Sequence, residues 1–268
     1  MRNRLAELTS ARVGVGRVGA SLPISEVLRL GSAHAEARDA VHAAINPSEL
    51  ARDIRALHIP AFDLAAMPEN GATPGVITVT SAARDRQQYL QRPDLGRTLD
   101  AGCRSSLALD PPPELVFVIA DGLSALAVTR HAVPMLAATL PLLRGWRIGP
   151  VVIATQARVA LGDEIGEAMG AKLCVILIGE RPGLSSPDSL GAYLTYQPRS
   201  GRTDAERNCI SNIRPEGLPY EAAALRLSYL LNESRRIKLS GVPLKERSGE
   251  LGAASPPSGP RASLPQSS

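Results

Sequence analysis

Ser124 is the residue whose surroundings come nearest to a catalytic motif. It lies in the segment DGLSAL at 121–126, between an apolar run and an amphipathic stretch, where a G-x-S-x-G nucleophile elbow presents its serine. Leu126 replaces the last glycine of that motif, and the only later histidine, His131, follows too closely to be a triad base. We therefore predict that Ser124 caps a helix, and an α/β hydrolase with Ser124 as nucleophile is kept as the alternative function.

A second segment, at residues 14–19, matches the dinucleotide-binding fingerprint G-x-G-x-x-G. That fingerprint must follow a strand and open a helix. Few residues precede it, and Pro23 interrupts the helix that it would need. We predict a glycine-rich turn here and no nucleotide site.

Glu180 and Cys209 are the polar residues whose positions point to a ligand site. Glu180 is the first polar side chain after an apolar run, and open α/β sheets bind ligands beyond the carboxyl ends of their strands. Its carboxylate could accept hydrogen bonds from a ligand amide, or it could pair with Arg181. Cys209 lies among polar residues, and none of the four histidines is in that region to activate its thiol.

Asp163 and Glu164 are adjacent carboxylates in the first turn of a predicted helix. The helix dipole favours negative charge there, which is sufficient to explain both residues. Neighbouring side chains diverge around a helix, so the two are not predicted to form an acid/base pair.

The segments that position these residues alternate between strands and helices. Continuous apolar runs of strand length occur at 115–120, 148–155 and 173–178. Such runs, separated by helical patterns, are typical of a parallel sheet covered on both faces. The predicted helices lie at 124–144, with a kink or break at Pro134, at 161–171 and at 219–238.

The fold class predicted is therefore α/β: a Rossmann-like parallel-sheet domain at 77–245, preceded by a smaller, mainly helical region and linker at 1–76. Within that first region Ser48 is the expected N-cap of a helix whose apolar stripe is Leu50, Ile54 and Leu57. The Gly/Ser/Pro-rich tail at 246–268 is predicted to be disordered.

Composition excludes several classes of protein. The chain has 268 residues, of which 44% are hydrophobic and 21% charged, so wholesale disorder is not expected. Its net charge of +4 (30 basic minus 26 acidic residues) is spread along the chain, and aromatics are only 3%, so nucleic-acid binding is not predicted. No run of about 18 apolar residues predicts a membrane span, and the N-terminus lacks the apolar core of a signal peptide.

The cysteine pattern is that of a protein from a reducing compartment. Cys103, Cys174 and Cys209 are odd in number and widely spaced, with no C-x-x-C pair. Neither a zinc site nor a disulfide framework is predicted, and a cytoplasmic location is expected.

Taken together, several longer stretches resemble one family, the small (light) subunit of ethanolamine ammonia-lyase, an adenosylcobalamin-dependent enzyme of bacteria. The resemblance covers roughly residues 8–245. The stretches that carry it are DRQQYLQRPDLGRTL, VFVIADGLSA, ARVALGDEIGEAMGAK, LIGERPGLSSPDSLGAYLTYQPR, TDAERNCISNIRPEGL and SGVPLK.

The resemblance implies a non-catalytic subunit of a carbon–nitrogen lyase that converts ethanolamine to acetaldehyde and ammonia by a radical mechanism. The catalytic residues are expected on the large subunit, and this chain is expected to hold the cobalamin at the interface between the two. The family's cofactor-binding positions fall on Val159, Glu180 and Cys209 of this chain. No metal ligand is expected here, because the chain has no D-x-H-x-x-G sequence that would supply a histidine to cobalt.

The family resemblance also bears on where in the cell the protein is located. Many members carry a longer N-terminal extension that is linked to packaging in a bacterial microcompartment. This sequence starts almost directly at the shared region, so encapsulation stays an open question beside the expected cytoplasmic location.

Overall fold

Six strands form one mixed sheet in the computed structural model, which describes residues 15–57 and 75–244. Their order across the sheet is β1-β3-β2-β4-β5-β6; β1 to β4 are parallel, β5 pairs antiparallel with β4, and β6 pairs antiparallel with β5. The strands are β1 (Val76–Thr80), β2 (Leu115–Ala120), β3 (Val151–Thr155), β4 (Leu173–Gly179), β5 (Leu190–Tyr196) and β6 (Arg207–Ile213).

The α-helices cover both faces of this sheet. They are α1 (Ile24–His42), α2 (Pro47–Arg55), α3 (Arg86–Gln91), α4 (Ala125–Thr139), α5 (Leu161–Ala168) and α6 (Tyr220–Ile237). On one face α2, α4 and α6 pack against side chains from β2 to β6. On the other face α5 and a 3-10 turn over Ala101–Leu107 cover β1 to β4. Because both of their faces are covered, β2 and β4 are buried along their whole length.

The parallel pairing of the predicted strands is confirmed. The prediction that the whole sheet is parallel is wrong. The strand predicted at 115–120 is β2, the one at 173–178 is β4 with one more residue, and the one at 148–155 is the shorter β3. The predicted sheet lacked β5 and β6, whose antiparallel pairing makes the observed sheet mixed. An antiparallel strand can leave one face open, so β6 has no continuous apolar run: only three of its seven residues are buried.

The predicted helices are found at the expected positions, but the observed helices differ from them in length. The helix expected at 124–144 is α4, which continues unbroken through Pro134 to Thr139 and is followed by a 3-10 turn over Leu140–Leu142. The helices expected at 161–171 and 219–238 are α5 and α6. One stretch of the described chain, 125–142, is long and apolar enough to cross a membrane by composition, but it packs as α4 between the sheet and α6, half buried.

The N-terminal helices share the core of the sheet. Ile45, Leu50 and Ile54 are buried in the same apolar cluster as α4 and α6, and the predicted stripe of α2 is confirmed. The N-cap of α2 is Asn46 and not the predicted Ser48. The Asn46 side chain accepts hydrogen bonds from the backbone N–H groups of Ser48 and Glu49. The division at residue 76 stays a prediction, and residues 1–14, 58–74 and the tail at 246–268 lie outside the described residues.

The glycine-rich turn before α1 is also confirmed. Val18 and Ser21 exchange backbone hydrogen bonds, Gly19 adopts a positive φ of 61°, and α1 begins directly after Pro23. Gly14, the first glycine of the pattern, lies outside the described residues. The residues in which a preceding strand would lie are outside the described part of the chain, so the absence of a nucleotide site stays a prediction.

Candidate functional site

The candidate site lies at the edge of the sheet where β2, β3 and β4 end. The connection from β2 to β3 passes through α4 on one face, and the connection from β3 to β4 passes through α5 on the other. The chain therefore leaves the adjacent strands β2 and β3 toward opposite faces of the sheet, which is the topological position where open α/β sheets bind ligands. A cavity of about 390 Å³ opens there, and the residues that follow all three strands line it.

Asp121 organises the floor of this cavity from the end of β2. Its carboxylate is buried and accepts the backbone N–H groups of Gln156 and Ala157, both at 2.9 Å, together with Arg86 Nη1 at 3.2 Å. Gln156 adopts a left-handed φ of 54°, which turns both N–H groups toward Asp121. Burial raises the pKa of Asp121, while these donors oppose the shift. The result is a fixed loop after β3, the loop that carries Val159.

Two glycines let the loops after β2 and β4 touch. A Cβ at Gly122, whose φ is +55°, would lie 2.2 Å from the carbonyl oxygen of Gly179. A Cβ at Gly179 would lie 2.0 Å from the carbonyl oxygen of Ser124. The backbone N–H of Leu123 donates to the Gly179 carbonyl at 2.9 Å, so the two loops form one rigid wall.

Glu180 lines the cavity and is oriented by donors from the antiparallel strands. Its Oε2 accepts from the Ser189 hydroxyl and from Asn212 N at 3.2 Å, and its Oε1 accepts from the Ser211 hydroxyl. Two carboxylate oxygens offer about four acceptor positions, so one position on Oε1 stays available to a ligand. The alternative pairing with Arg181 is not among the ion pairs of the described residues.

Val159 lies in the same cavity, and Cys209 lies at its margin. Val159 is half-buried in the loop before α5. Cys209 is an exposed residue of β6, opposite Tyr193 in the strand register, and Tyr193 lines the cavity. Loss of water around the thiol raises the pKa of Cys209, and the nearby Glu180 charge adds to the rise although the Tyr193 hydroxyl opposes it. The thiol therefore stays protonated, and the structure gives it no base.

The surroundings of Ser124 do not favour a hydrolase. Ser124 is fully buried; its Oγ accepts from Ala127 N at 3.2 Å and donates to the Pro187 carbonyl at 2.8 Å. It is the N-cap of α4, as predicted. His131 instead places Nδ1 2.7 Å from the Tyr220 hydroxyl and Nε2 3.4 Å from Asp188. The serine thus has neither a base nor access for a substrate.

Asp163 and Glu164 diverge as predicted, but the helix dipole is not their main role. Asp163 forms a buried ion pair with Arg207 of β6, while Glu164 accepts the backbone N–H of Leu99 at 2.7 Å. The first contact ties α5 to β6. This ion pair could not be predicted from the sequence, because Arg207 belongs to a strand that was not predicted.

Several lining residues also escaped the sequence analysis. Tyr193 and Ser211 reach the cavity only because β5 pairs antiparallel with β4 and β6 pairs antiparallel with β5. Arg158 was within reach of prediction, since it lies in the loop after a predicted strand, the same criterion that singled out Glu180.

Comparison with known proteins identifies the family of this chain. The family model for the ethanolamine ammonia-lyase light chain matches residues 1–245. The chain belongs to this family. Among its similar relatives is the ethanolamine ammonia-lyase small subunit of Ralstonia nicotianae, 52% identical over 249 residues, which are 90% of this chain and 87% of the relative.

Two further light-chain relatives are similar over the same extent. The ethanolamine ammonia-lyase small subunit of Azotobacter vinelandii is 50% identical over 250 residues, 91% of this chain and 87% of the relative. That of Xanthomonas campestris is also 50% identical over 250 residues, with 91% and 86% covered. The family expected from the sequence motifs is confirmed.

Proposed function

We propose that this chain is the small subunit of an ethanolamine ammonia-lyase and that it holds adenosylcobalamin against the large subunit. The observation that carries the proposal is the convergence of Val159 and Glu180, from two separate loops, on one cavity at the edge of the sheet. Membership of the light-chain family supplies the reaction and the partner.

The residues of the cavity fit the periphery of a corrin ring. That periphery carries amide side chains and methyl groups, and Glu180 has one acceptor position available beside apolar wall residues such as Val159 and Ile178. A whole corrin is larger than this cavity, so most of it would lie outside and need a second protein surface to cover it. A large subunit would provide that surface.

When bound, adenosylcobalamin supplies the radical chemistry that converts ethanolamine to acetaldehyde and ammonia. Glu180 accepts an amide N–H and thereby orients the ring. Val159 excludes water from one side by apolar contact. Cys209, as a protonated thiol beside Tyr193, contributes bulk at the margin of the site and takes no part as a nucleophile.

Two expectations, about the cellular compartment and about the partners of this chain, belong to the same proposal. The three cysteines of the described chain are all unpaired, which supports a reducing cytoplasm. The absence of nucleic-acid and membrane partners stays a prediction, as does the question of a microcompartment.

Reconstitution tests the proposal. The chain and its large subunit are purified separately, and ammonia release from ethanolamine is measured with adenosylcobalamin present. Neither subunit alone should be active, and mixing them should restore the reaction. A mixture no more active than the large subunit alone would contradict the proposal. Full activity in the variant Ser124→Ala distinguishes this result from the hydrolase alternative.

A further inference from the structure

A second cavity, of about 450 Å³, adjoins the candidate cofactor site, and four of its nine lining residues are arginines. Arg97, Arg158, Arg202 and Arg207 all line it, and we call it the basic pocket. It shares Arg158 and Val159 with the candidate cofactor cavity, so these two residues form the wall between the cavities.

Two of the four arginines have no carboxylate partner among the described residues. Arg202 pairs with Glu206, and Arg207 pairs with Asp163 and Asp204. Arg97 and Arg158 form no ion pair and no side-chain hydrogen bond with any described residue. Because the four arginines face three carboxylates (Glu206, Asp163 and Asp204), the pocket carries about one surplus positive charge, which matches the single negative charge of a phosphodiester.

Arg158 is held in place before any ligand arrives. Its guanidinium carbon stacks 4.4 Å from the centre of the Tyr89 ring, and its backbone N–H donates to the Gly96 carbonyl at 2.7 Å. A Cβ on Gly96 would approach that ring to 2.8 Å, so the glycine permits the close stack. Its Nε is buried and has no hydrogen-bond partner within the described residues. A preorganised guanidinium loses little side-chain entropy on binding an anion.

The start of α5 adds to the positive potential. Ala160 lines the basic pocket and is the N-cap of α5, with no side chain to cap it. The first N–H groups of the helix already bond to carbonyls of residues 158–160, so the helix contributes its dipole and no free donor. The carboxylate in its first turn, Asp163, is neutralised by Arg207.

We propose that the basic pocket binds a phosphate group through Arg97 and Arg158. Two sources share this chemistry. One is the phosphodiester of the nucleotide loop of a cobalamin bound in the adjoining cavity, an assignment that rests on the proposed function. The other is free inorganic phosphate. Guanidinium groups bind phosphate oxygens by bidentate, charge-assisted hydrogen bonds, which is the chemistry that both sources need.

The first measurement separates the sources by using the complex of this chain with its large subunit. Dissociation constants are measured by absorption titration for adenosylcobalamin and for adenosylcobinamide, which lacks the nucleotide loop and its phosphodiester. If the cofactor is the source, Arg97→Gln and Arg158→Gln each weaken adenosylcobalamin binding about tenfold or more and leave adenosylcobinamide binding unchanged.

The second measurement uses the full chain alone. Inorganic phosphate is titrated by calorimetry in a chloride buffer. If free phosphate is the source, the wild-type chain binds it and both variants lose about tenfold in affinity, while adenosylcobalamin binding by the complex is unaffected. Wild-type complex that binds neither cobalamin would refute the proposed function and leave the phosphate titration as an independent test of the basic pocket.

Three controls keep the outcome interpretable. Arg97 is exposed, so Arg97→Gln should fold normally even if Arg158→Gln disturbs the Tyr89 stack. Arg158→Lys keeps the charge but loses the bidentate geometry and the stack on Tyr89, so it should recover only part of the binding lost in Arg158→Gln. Arg38→Gln removes an exposed arginine of α1 and should change nothing. If all variants bind adenosylcobalamin and phosphate as the wild type does, the proposal is wrong.

Discussion

The parallel and antiparallel parts of the sheet differ in what covers them. Strands β2 to β4 are packed on both faces and β5 is buried at five of its seven residues, whereas the edge strand β6 packs against α6 on one face and leaves Cys209 and Ser211 exposed on the other. The parallel strands fix the loop geometry, and the antiparallel return supplies hydroxyl groups that orient Glu180, from Ser189 just before β5 and from Ser211 of β6. The rigid wall of the cavity therefore depends on the parallel half of the sheet, and the orientation of Glu180 depends on the antiparallel half.

The sharpest test of the difference between the two halves is to replace one glycine by alanine in each half and to compare the losses of stability. In Gly179→Ala, at the end of β4, the new Cβ would lie 2.0 Å from the backbone oxygen of Ser124. Because the clash is between two backbones in a rigid wall, we expect the free energy of unfolding to fall by about 3 kcal/mol or more. Chemical denaturation of the full chain measures it.

The matched variant is Gly191→Ala in β5, where the new Cβ would lie 2.9 Å from Glu180 Oε1. That atom belongs to a side chain that can move, so we expect a loss of about 1 kcal/mol and a displaced Glu180. Equal losses at the two positions would show that the two halves do not differ in rigidity.

The ion pair between Asp163 of α5 and Arg207 of β6 joins the two halves of the sheet, so Asp163→Asn should weaken the contact between them. It leaves Arg207 buried with only the exposed Asp204 as a charged partner. Breaking a buried pair by removing one partner is strongly destabilising, and we expect a loss of about 2–3 kcal/mol.

The double variant Asp163→Leu with Arg207→Met is its control, because replacing both charges by apolar side chains removes the orphaned charge. The double variant should regain much of the stability lost in Asp163→Asn. Failure to regain any would mean that the pair acts through shape and not through charge.

The sequence predicted the parallel strands of the sheet much better than the antiparallel pair β5 and β6. Continuous apolar runs identify β2 and β4 because both faces of these strands are buried. The segment that forms β6 is buried only at Arg207, Ile210 and Ile213, which are three residues apart and do not follow the alternation of a strand, and its polar members suggested a site. Glu180 could be found from its place after β4, but its donors Ser189 and Ser211 could not, because they depend on the antiparallel return.

Glu180 connects the two halves at the ligand cavity, and two substitutions separate its roles. Glu180→Ala removes the acceptor and its carboxylate bulk; Glu180→Gln keeps the shape and one carbonyl acceptor. We expect adenosylcobalamin binding by the complex to weaken about tenfold in Glu180→Ala and less in Glu180→Gln. The free energy of unfolding should also fall, by about 1 kcal/mol. Absorption titration and denaturation measure the two effects, and unchanged affinity in both variants would remove Glu180 from the cofactor site.

The smallest effect concerns the polar cluster beneath the antiparallel half, where His131 meets Asp188, Arg130, Tyr220 and the nearby Glu216. Burial lowers the pKa of His131 below its ordinary value of 6.5, although Asp188 opposes the shift. Below pH 6.5 the unfolded chain then binds more protons than the folded chain. The free energy of unfolding should therefore decrease as the pH falls below 6.5, and this residue should have no effect above about pH 7.5.

Asp188 acts in a different pH range, which allows the two residues to be distinguished. Burial alone would raise its pKa, but Arg130 and His131 lower it below 3.8, so its contribution is lost only in stronger acid. Denaturation curves between pH 5 and 7.5 thus report on His131, and His131→Gln should flatten the pH dependence in that range relative to the wild type. If the wild type instead gains stability as the pH falls to 5, the protonated imidazole is bound to Asp188 more strongly than burial disfavours it, and the cluster is an ion pair in the folded protein.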